Sequence, residues 1–302
     1  MTVSRPLDVR VHLALLFVQI TFGGFNVFGK YVLGYLPSLT VASFRVLFGA
    51  PVLMLLALRF DAVRPRRRDL WTLAMLGFFG VFLNQLLFIL GLEYTTATNS
   101  AILMPSIPVF TMAVAMILGI ERLTARRAVG IALAVAGALI MLRVTRFSLS
   151  EDTVLGNILI LVNCLSYSVF LVLARPVLLR IPPLTVIAWT FLFGGAGVLL
   201  VSTPTLFATD FSAVPSLAWV GIAYVVVFPT VVNYVLNTWA IKRSSPVLVA
   251  AYTTLQPLVA TALAVSLLGE QFGMRELLGF ACIVGGLLWI SVTRPSRRMT
   301  DG

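Results

Sequence analysis

Ten apolar runs punctuate the chain, at residues 11–29, 39–58, 70–92, 97–118, 125–143, 154–174, 184–202, 216–239, 246–268 and 274–293. Each approaches the ~20 apolar residues that a helix needs to cross a bilayer's hydrocarbon. The runs are too long, and too free of strict alternation, for barrel strands. The pattern therefore predicts an all-α membrane protein with ten transmembrane helices. The first run is too long for a cleaved signal segment and ends without a small-residue cleavage site, so it reads as a retained helix.

A longer pattern lies over this one. The stretch Asn84–Gly137 recurs without a gap as Asn233–Gly286, an offset of 149 positions. Asn84 meets Asn233, Pro108 meets Pro257, Glu121 meets Glu270, Gly130 meets Gly279 and Gly137 meets Gly286. A period this long is no solenoid unit; it reads as two halves of one membrane domain. Each half has five crossings. Five is odd, so the second half enters the membrane from the opposite side and the halves form an inverted repeat. The expected organisation is a first five-helix repeat over 1–144, an external linker at 145–153, and a second repeat with a cytoplasmic tail over 154–302. Exchanging the conformations of inverted halves turns an inward-open shape into an outward-open one, which suits alternating access.

Charge adds an orientation. Hydrophobic residues make up 60% of the chain, charged residues only 11%, and the net charge is +11. With the N-terminus cytoplasmic, 17 of the 22 Lys and Arg fall in cytoplasmic segments, including Arg64, Arg66, Arg67 and Arg68. Four fall outside (Lys30, Arg143, Arg146 and Arg275), and Arg45 lies within a span. This asymmetry is the positive-inside bias and places both termini in the cytoplasm. It makes Arg64–Asp69 a solvated inter-helix loop rather than a nucleic-acid site. The expected location is a multi-pass position in a bacterial inner membrane, with the lipid bilayer as a partner.

Polar residues inside the runs are the candidates for chemistry. Gln19 and Asn26 share a face of the first run with Gly23. Asn84 and Gln85 are adjacent amides that need partners away from lipid. Asn163, Ser166, Tyr167 and Phe170 share a face of the sixth run, and Thr230, Asn233 and Asn237 share one on the eighth. Tyr252, Thr253 and Gln256 lie in the ninth. Such groups serve either as interhelical glue or as the lining of a polar cavity; stripes at corresponding places in both halves point to a shared cavity. Arg45 lies ~9 Å into the second run at 1.5 Å per residue. It either snorkels to the outer interface or faces a water-filled cavity, with Glu93 as a candidate partner. Pro105, Pro108, Pro229 and Pro257 disrupt the helical ladder, and the carbonyls they free must face protein or water. The small residues Gly130, Ala134 and Ala138, with Gly279, Gly285 and Gly286, mark close helix packing.

Several classes are excluded. Gly24–Lys30 matches the phosphate-loop spacing, but Tyr31 replaces the required Ser or Thr and no strand precedes it. His12 is the only histidine, and Cys164 and Cys282 sit in apolar runs, so no metal site, disulfide framework or cofactor is expected. The chain lacks G-x-S-x-G and paired intramembrane aspartates, so it is not read as an enzyme.

The chain resembles an EamA-type member of the drug/metabolite transporter superfamily. The residues that carry the likeness are Gly91-Leu92-Glu93-Tyr94-Thr95-Thr96-Ala97-Thr98, Pro105-Ser106-Ile107-Pro108 and Gly119-Ile120-Glu121-Arg122-Leu123-Thr124. Pro257 and Leu268-Gly269-Glu270 carry it in the second half, and Ala42-Ser43-Phe44-Arg45 in the second run. The resemblance implies ten helices, cytoplasmic termini and a central cavity lined mainly by helices 1, 3, 4, 6, 8 and 9. The Asn84-Gln85 pair is also similar to plant nodulin-like amino-acid exporters of the same superfamily.

The expected function is secondary transport of a small polar or zwitterionic metabolite, with amino-acid export first. A multidrug cation exporter of the same fold is the alternative, and a non-transporting membrane scaffold is more remote. The expected substrate-binding residues are Gln19, Asn26, Arg45, Asn84, Gln85, Asn163, Tyr167, Asn233, Asn237, Tyr252 and Gln256. Proton or counter-substrate coupling, and the oligomeric state, stay open at this level.

Overall fold

The structure is a computed structural model that describes residues 8–61, 63–95, 97–141, 151–259 and 273–291. Helices fill almost all of these segments. Asp8 starts α1 (Val9–Leu33) by accepting from the Arg10 N–H. The helices α2 (Ser38–Leu56), α3 (Arg67–Gly77) and α4 (Asn84–Glu93) follow. A π-helical turn, Phe78–Leu83, joins α3 to α4 without a break. The next apolar run divides into α5 (Ala97–Leu103) and α6 (Ser106–Ile117). Pro105 lies at the division, where it cannot donate to the ladder. Pro108, expected to break the helix as well, is only the third residue of α6. Its missing N–H is one that the first turn leaves unbonded in any case, so it disrupts nothing.

The chain continues through α7 (Ala125–Met141), α8 (Glu151–Leu178), α9 (Pro183–Ala208) and α10 (Ser216–Val225). α8 begins inside the stretch expected as a linker; the rest of that stretch lies outside the described residues. A second π turn, Val226–Val232, carries Pro229 and leads into α11 (Asn233–Arg243). Ser245 then caps α12 (Pro246–Ala251), accepting from the Leu248 N–H at 3.2 Å. A 3-10 turn, Tyr252–Leu255, tightens the chain just before Pro257. Pro257 removes the donor for the Thr253 carbonyl, and a tighter turn is one way to accommodate that loss. The last helix among the described residues is α13 (Met274–Ser291). Glu270 lies outside the described residues.

Among the described residues, five helical stretches are long and apolar enough to cross a membrane: Ser38–Asp61, Arg67–Glu93, Thr153–Leu178, Pro183–Ala208 and Ser216–Arg243. Shorter apolar helices cover Val9–Phe25, Ser106–Ile117, Pro246–Val259 and Leu277–Ile290. Large apolar side chains point outward, with Leu200 83% and Phe207 86% exposed. Water would penalise such a face, whereas lipid does not. The inside is packed by Phe170, Phe191, Leu171, Ile187 and their neighbours. α2 lies along α9, and α4 and α6 lie along α8.

α7 pairs with α13 along its length. Small residues set their spacing. A Cβ on Gly137 would come within 2.7 Å of the Gly279 carbonyl oxygen, and one on Gly130 within 3.0 Å of the Gly286 carbonyl oxygen. The two backbones approach so closely that side chains are excluded at both crossings.

Candidate functional site: a polar cavity with one buried cation

The break at Pro229 builds the site. Proline has no N–H for the Val225 carbonyl four residues earlier, and the π turn moves that carbonyl's bonding five residues on, to Thr230. The Thr230 hydroxyl donates to that carbonyl at 2.9 Å. The Thr230 hydroxyl oxygen in turn accepts from Arg45 Nε on α2, also at 2.9 Å. One residue thus satisfies a freed carbonyl and orients a guanidinium. Gly49, one turn beyond Arg45, makes room: a Cβ there would meet the Thr230 methyl at 2.9 Å.

Arg45 is only 4% exposed. Its guanidinium carbon stands 5.3 Å from the centre of the Phe25 ring on α1, within cation–π range. It makes no ion pair among the described residues. The expected pairing with Glu93 does not form: Glu93 Oε2 accepts from the Ser38 hydroxyl at 3.0 Å, and Arg45 turns inward to Thr230 instead. An unpaired cation removed from water is costly to keep, so its environment matters.

Arg45 borders a cavity of about 260 Å³ between α1, α4, α5, α6, α8, α11 and the 246–259 segment. Amides line its wall in bonded pairs. Gln256 Nε2 donates to Gln19 Oε1 at 3.2 Å, and Asn163 Nδ2 to the Asn84 carbonyl at 2.6 Å. Asn237 Nδ2 donates to the Tyr167 hydroxyl at 3.1 Å. The Tyr234 hydroxyl lies 2.9 Å from the Gly80 carbonyl oxygen and 3.2 Å from Asn84 Oδ1. Phe22, Phe25, Phe88 and Met104 give the wall apolar faces, and Pro105 and Pro257 also border it.

The expected residues therefore separate. Gln19, Arg45, Asn84, Asn163, Tyr167, Asn237 and Gln256 meet at the cavity. Asn233 lies elsewhere: it is fully buried, accepting from the Thr21 hydroxyl at 2.8 Å, and ties α11 to α1. The Tyr252 hydroxyl pairs with His12 Nδ1 off the wall. Gln85 is also off the wall, 1% exposed, with no hydrogen-bond partner for either amide atom among the described residues. Nothing in the structure explains that. The Asn26 side chain lies outside the described residues. Pro108 and Pro229 are buried behind the wall. Phe25, Phe88 and Tyr234 escape a search for polar stripes. Tyr234 alone carries a usable signal, a hydroxyl in an apolar run that must find a partner.

Among the described residues no cluster of three or more His, Cys, Asp or Glu could hold a metal ion.

The profile of the EamA-like transporter family matches this chain twice, over residues 9–143 and 154–292. The chain belongs to that family. Its relatives include Protein WALLS ARE THIN 1 of Arabidopsis thaliana, 26% identical over 97% of this chain and 85% of that protein. The uncharacterized transporter YetK of Bacillus subtilis (strain 168) is 26% identical over 88% of this chain and 82% of its own length. A solved crystal structure superimposes with a TM-score of 0.76 at 18% identity, covering 93% of this chain and 96% of its own; that likeness speaks for the fold. The EamA family is one of membrane transporters. Transporters of this family act on small molecules, and among the described residues the cavity offers room for one.

Proposed function

We propose that the chain is a ten-span secondary transporter, built from inverted repeats over 1–144 and 154–302, that moves a small zwitterionic metabolite by alternating access. Amino-acid export is the first reading. Three features support the repeat. The family profile fits each half once. The π turns at Phe78–Leu83 and Val226–Val232 fall within one residue of each other after the 149-position shift. Under the same shift, the contact of Gly130 with Gly286 exchanges with that of Gly137 with Gly279, as a pseudo-two-fold axis demands. The charge asymmetry supports cytoplasmic termini. Relatives come from a plant as well as a bacterium; a bacterial inner membrane, with both termini cytoplasmic, is the proposed setting.

The observation that carries the substrate class is Arg45. It is buried at the cavity with a neutral partner, Thr230, and no carboxylate within ion-pair distance among the described residues. A substrate carboxylate offsets the cost of keeping that charge from water. The cavity amides and the Tyr167 hydroxyl supply acceptors for an ammonium group. A lipophilic cation finds aromatic faces but also meets Arg45 and, among the described wall residues, no acid. The test is Arg45→Gln in proteoliposomes. Losing a charge-assisted contact of about 1.5–3 kcal/mol should cut amino-acid transport about ten- to a hundredfold. Thermal stability should hold or rise, because the cation removed had no ionic partner. A variant that transports at the wild-type rate removes Arg45 from the site.

A further inference from the structure

A second charged group is buried outside the cavity wall. Two residues past the end of α6 stands Gly119, whose φ of +64° suits glycine. The Ile120 and Glu121 N–H groups both donate back to the Ala115 carbonyl, at 2.9 and 3.2 Å. This turn folds Glu121 inward, leaving its side chain 8% exposed. Arg127 Nη1 on α7 lies 2.7 Å from Glu121 Oε2. The carboxylate also faces the Ser245 hydroxyl and the Val247 N–H at the start of α12, with Arg175 in the last turn of α8 nearby. Among the described residues, Arg127 and Arg175 are the charged groups that face it from the packed elements. Neither carboxylate oxygen makes a hydrogen bond of good geometry among the described residues.

Glu121 and Arg127 belong to the first half of the chain, whereas Arg175 and α12 belong to the second. The contact therefore ties the halves together. It does so where the bundle is packed shut: Val247, Leu248, Ala250, Ala251, Leu178 and Ile241 are all buried. The Arg175 Nη1 donates to the Ile241 carbonyl beside it. The segment that starts at α12 is held again at Tyr252 by His12 on α1. If the halves are to rock apart at this end, α12 must leave Glu121.

We propose that Glu121 is a proton-binding latch: the shut end takes up a proton at this carboxyl, and opening the end releases it. Burial pushes Glu121 above the usual carboxylate range, against the opposing pull of Arg127. In an open end water reaches the group, and its affinity for protons falls to the ordinary level. A group that binds a proton more tightly in one state stabilises that state as pH falls. The shut end is therefore strengthened as pH drops through the raised value toward the ordinary range, and weakened as pH rises through the raised value. The latch does not depend on what the cavity carries.

Hydrogen exchange of the full-length protein in lipid nanodiscs tests this, read on residues 245–255 across a pH series and corrected for intrinsic exchange. Protection should rise as pH falls, by up to about tenfold per pH unit inside the window, the slope of one bound proton. Arg127→Gln should move the transition to higher pH, because Arg127 holds the proton affinity down. Glu121→Gln should abolish the transition. Wild-type protection that is flat, or that falls with falling pH, overturns the proposal even if neither variant folds. A transition that persists in Glu121→Gln assigns the response to another group, with His12 at Tyr252 the first suspect, and also overturns it.

Discussion

Pro229 acts on the cavity without touching it. Its missing N–H frees the Val225 carbonyl, Thr230 takes that carbonyl, and Arg45 is aimed by Thr230. The residue types were legible in the sequence, but this sequence of dependence was not, because Arg45 and Thr230 lie 185 positions apart. The amide stripe teaches the same lesson. Asn233 and Asn237 share a face of α11, yet one bonds to Thr21 away from the cavity and the other lines it. Helical spacing fixes a common face; the neighbouring helix decides what each residue on it meets. Asn233→Ala should therefore act on stability. It removes a buried amide that joins α11 to α1, a loss of about 1–3 kcal/mol, and leaves the Thr21 hydroxyl with only the Phe17 and Val18 carbonyls of its own helix. Thermal unfolding in detergent should show a lowered midpoint, and the surviving folded protein should transport at a near-normal rate. A normal midpoint with lost transport would return Asn233 to the substrate path.

At the scale of elements, the apolar runs located the helices well because length and hydropathy report burial in lipid or protein directly. Their interruptions were legible only in part. Pro105 and Pro257 announced the break between α5 and α6 and the 3-10 turn. The π turn at Phe78–Leu83 contains no proline and gave no sign, since an inserted residue leaves apolar composition unchanged. Pro108 misled because its position within the first turn of a helix depends on where that helix starts. The small residues of α7 and α13 read correctly as packing, and the structure separates them. A Cβ on Gly286 would fall 2.7 Å from the Ala134 nitrogen, whereas one on Gly285 meets Leu133 at an ordinary 3.6 Å. Gly286→Ala should lower the unfolding midpoint by an amount equivalent to about 1–3 kcal/mol of overpacking. Gly285→Ala should be close to neutral in the same assay. Equal effects would mean that α7 and α13 are not in the close contact described.

For the whole molecule, repetition and charge asymmetry were visible in sequence because both are properties of the chain as a string. The inverted arrangement and the orientation are inferences from that string, and labelling tests them. Single cysteines at Arg66, Lys242 and Asp152 should divide by side. An impermeant thiol reagent on intact cells should label Asp152→Cys alone, and labelling of Arg66→Cys would reverse the orientation. The cargo was the least legible feature. Composition showed polar groups in apolar runs, but only the fold shows that Arg45 has a neutral partner and borders a shared cavity. The central claim is that this buried cation selects a carboxylate-bearing substrate. Counterflow in proteoliposomes, with neutral amino acids set against a quaternary ammonium dye, tests it most directly. The account predicts that at least one amino acid is carried and that the dye competes poorly. Strong transport of the dye, with no amino acid carried, would contradict it.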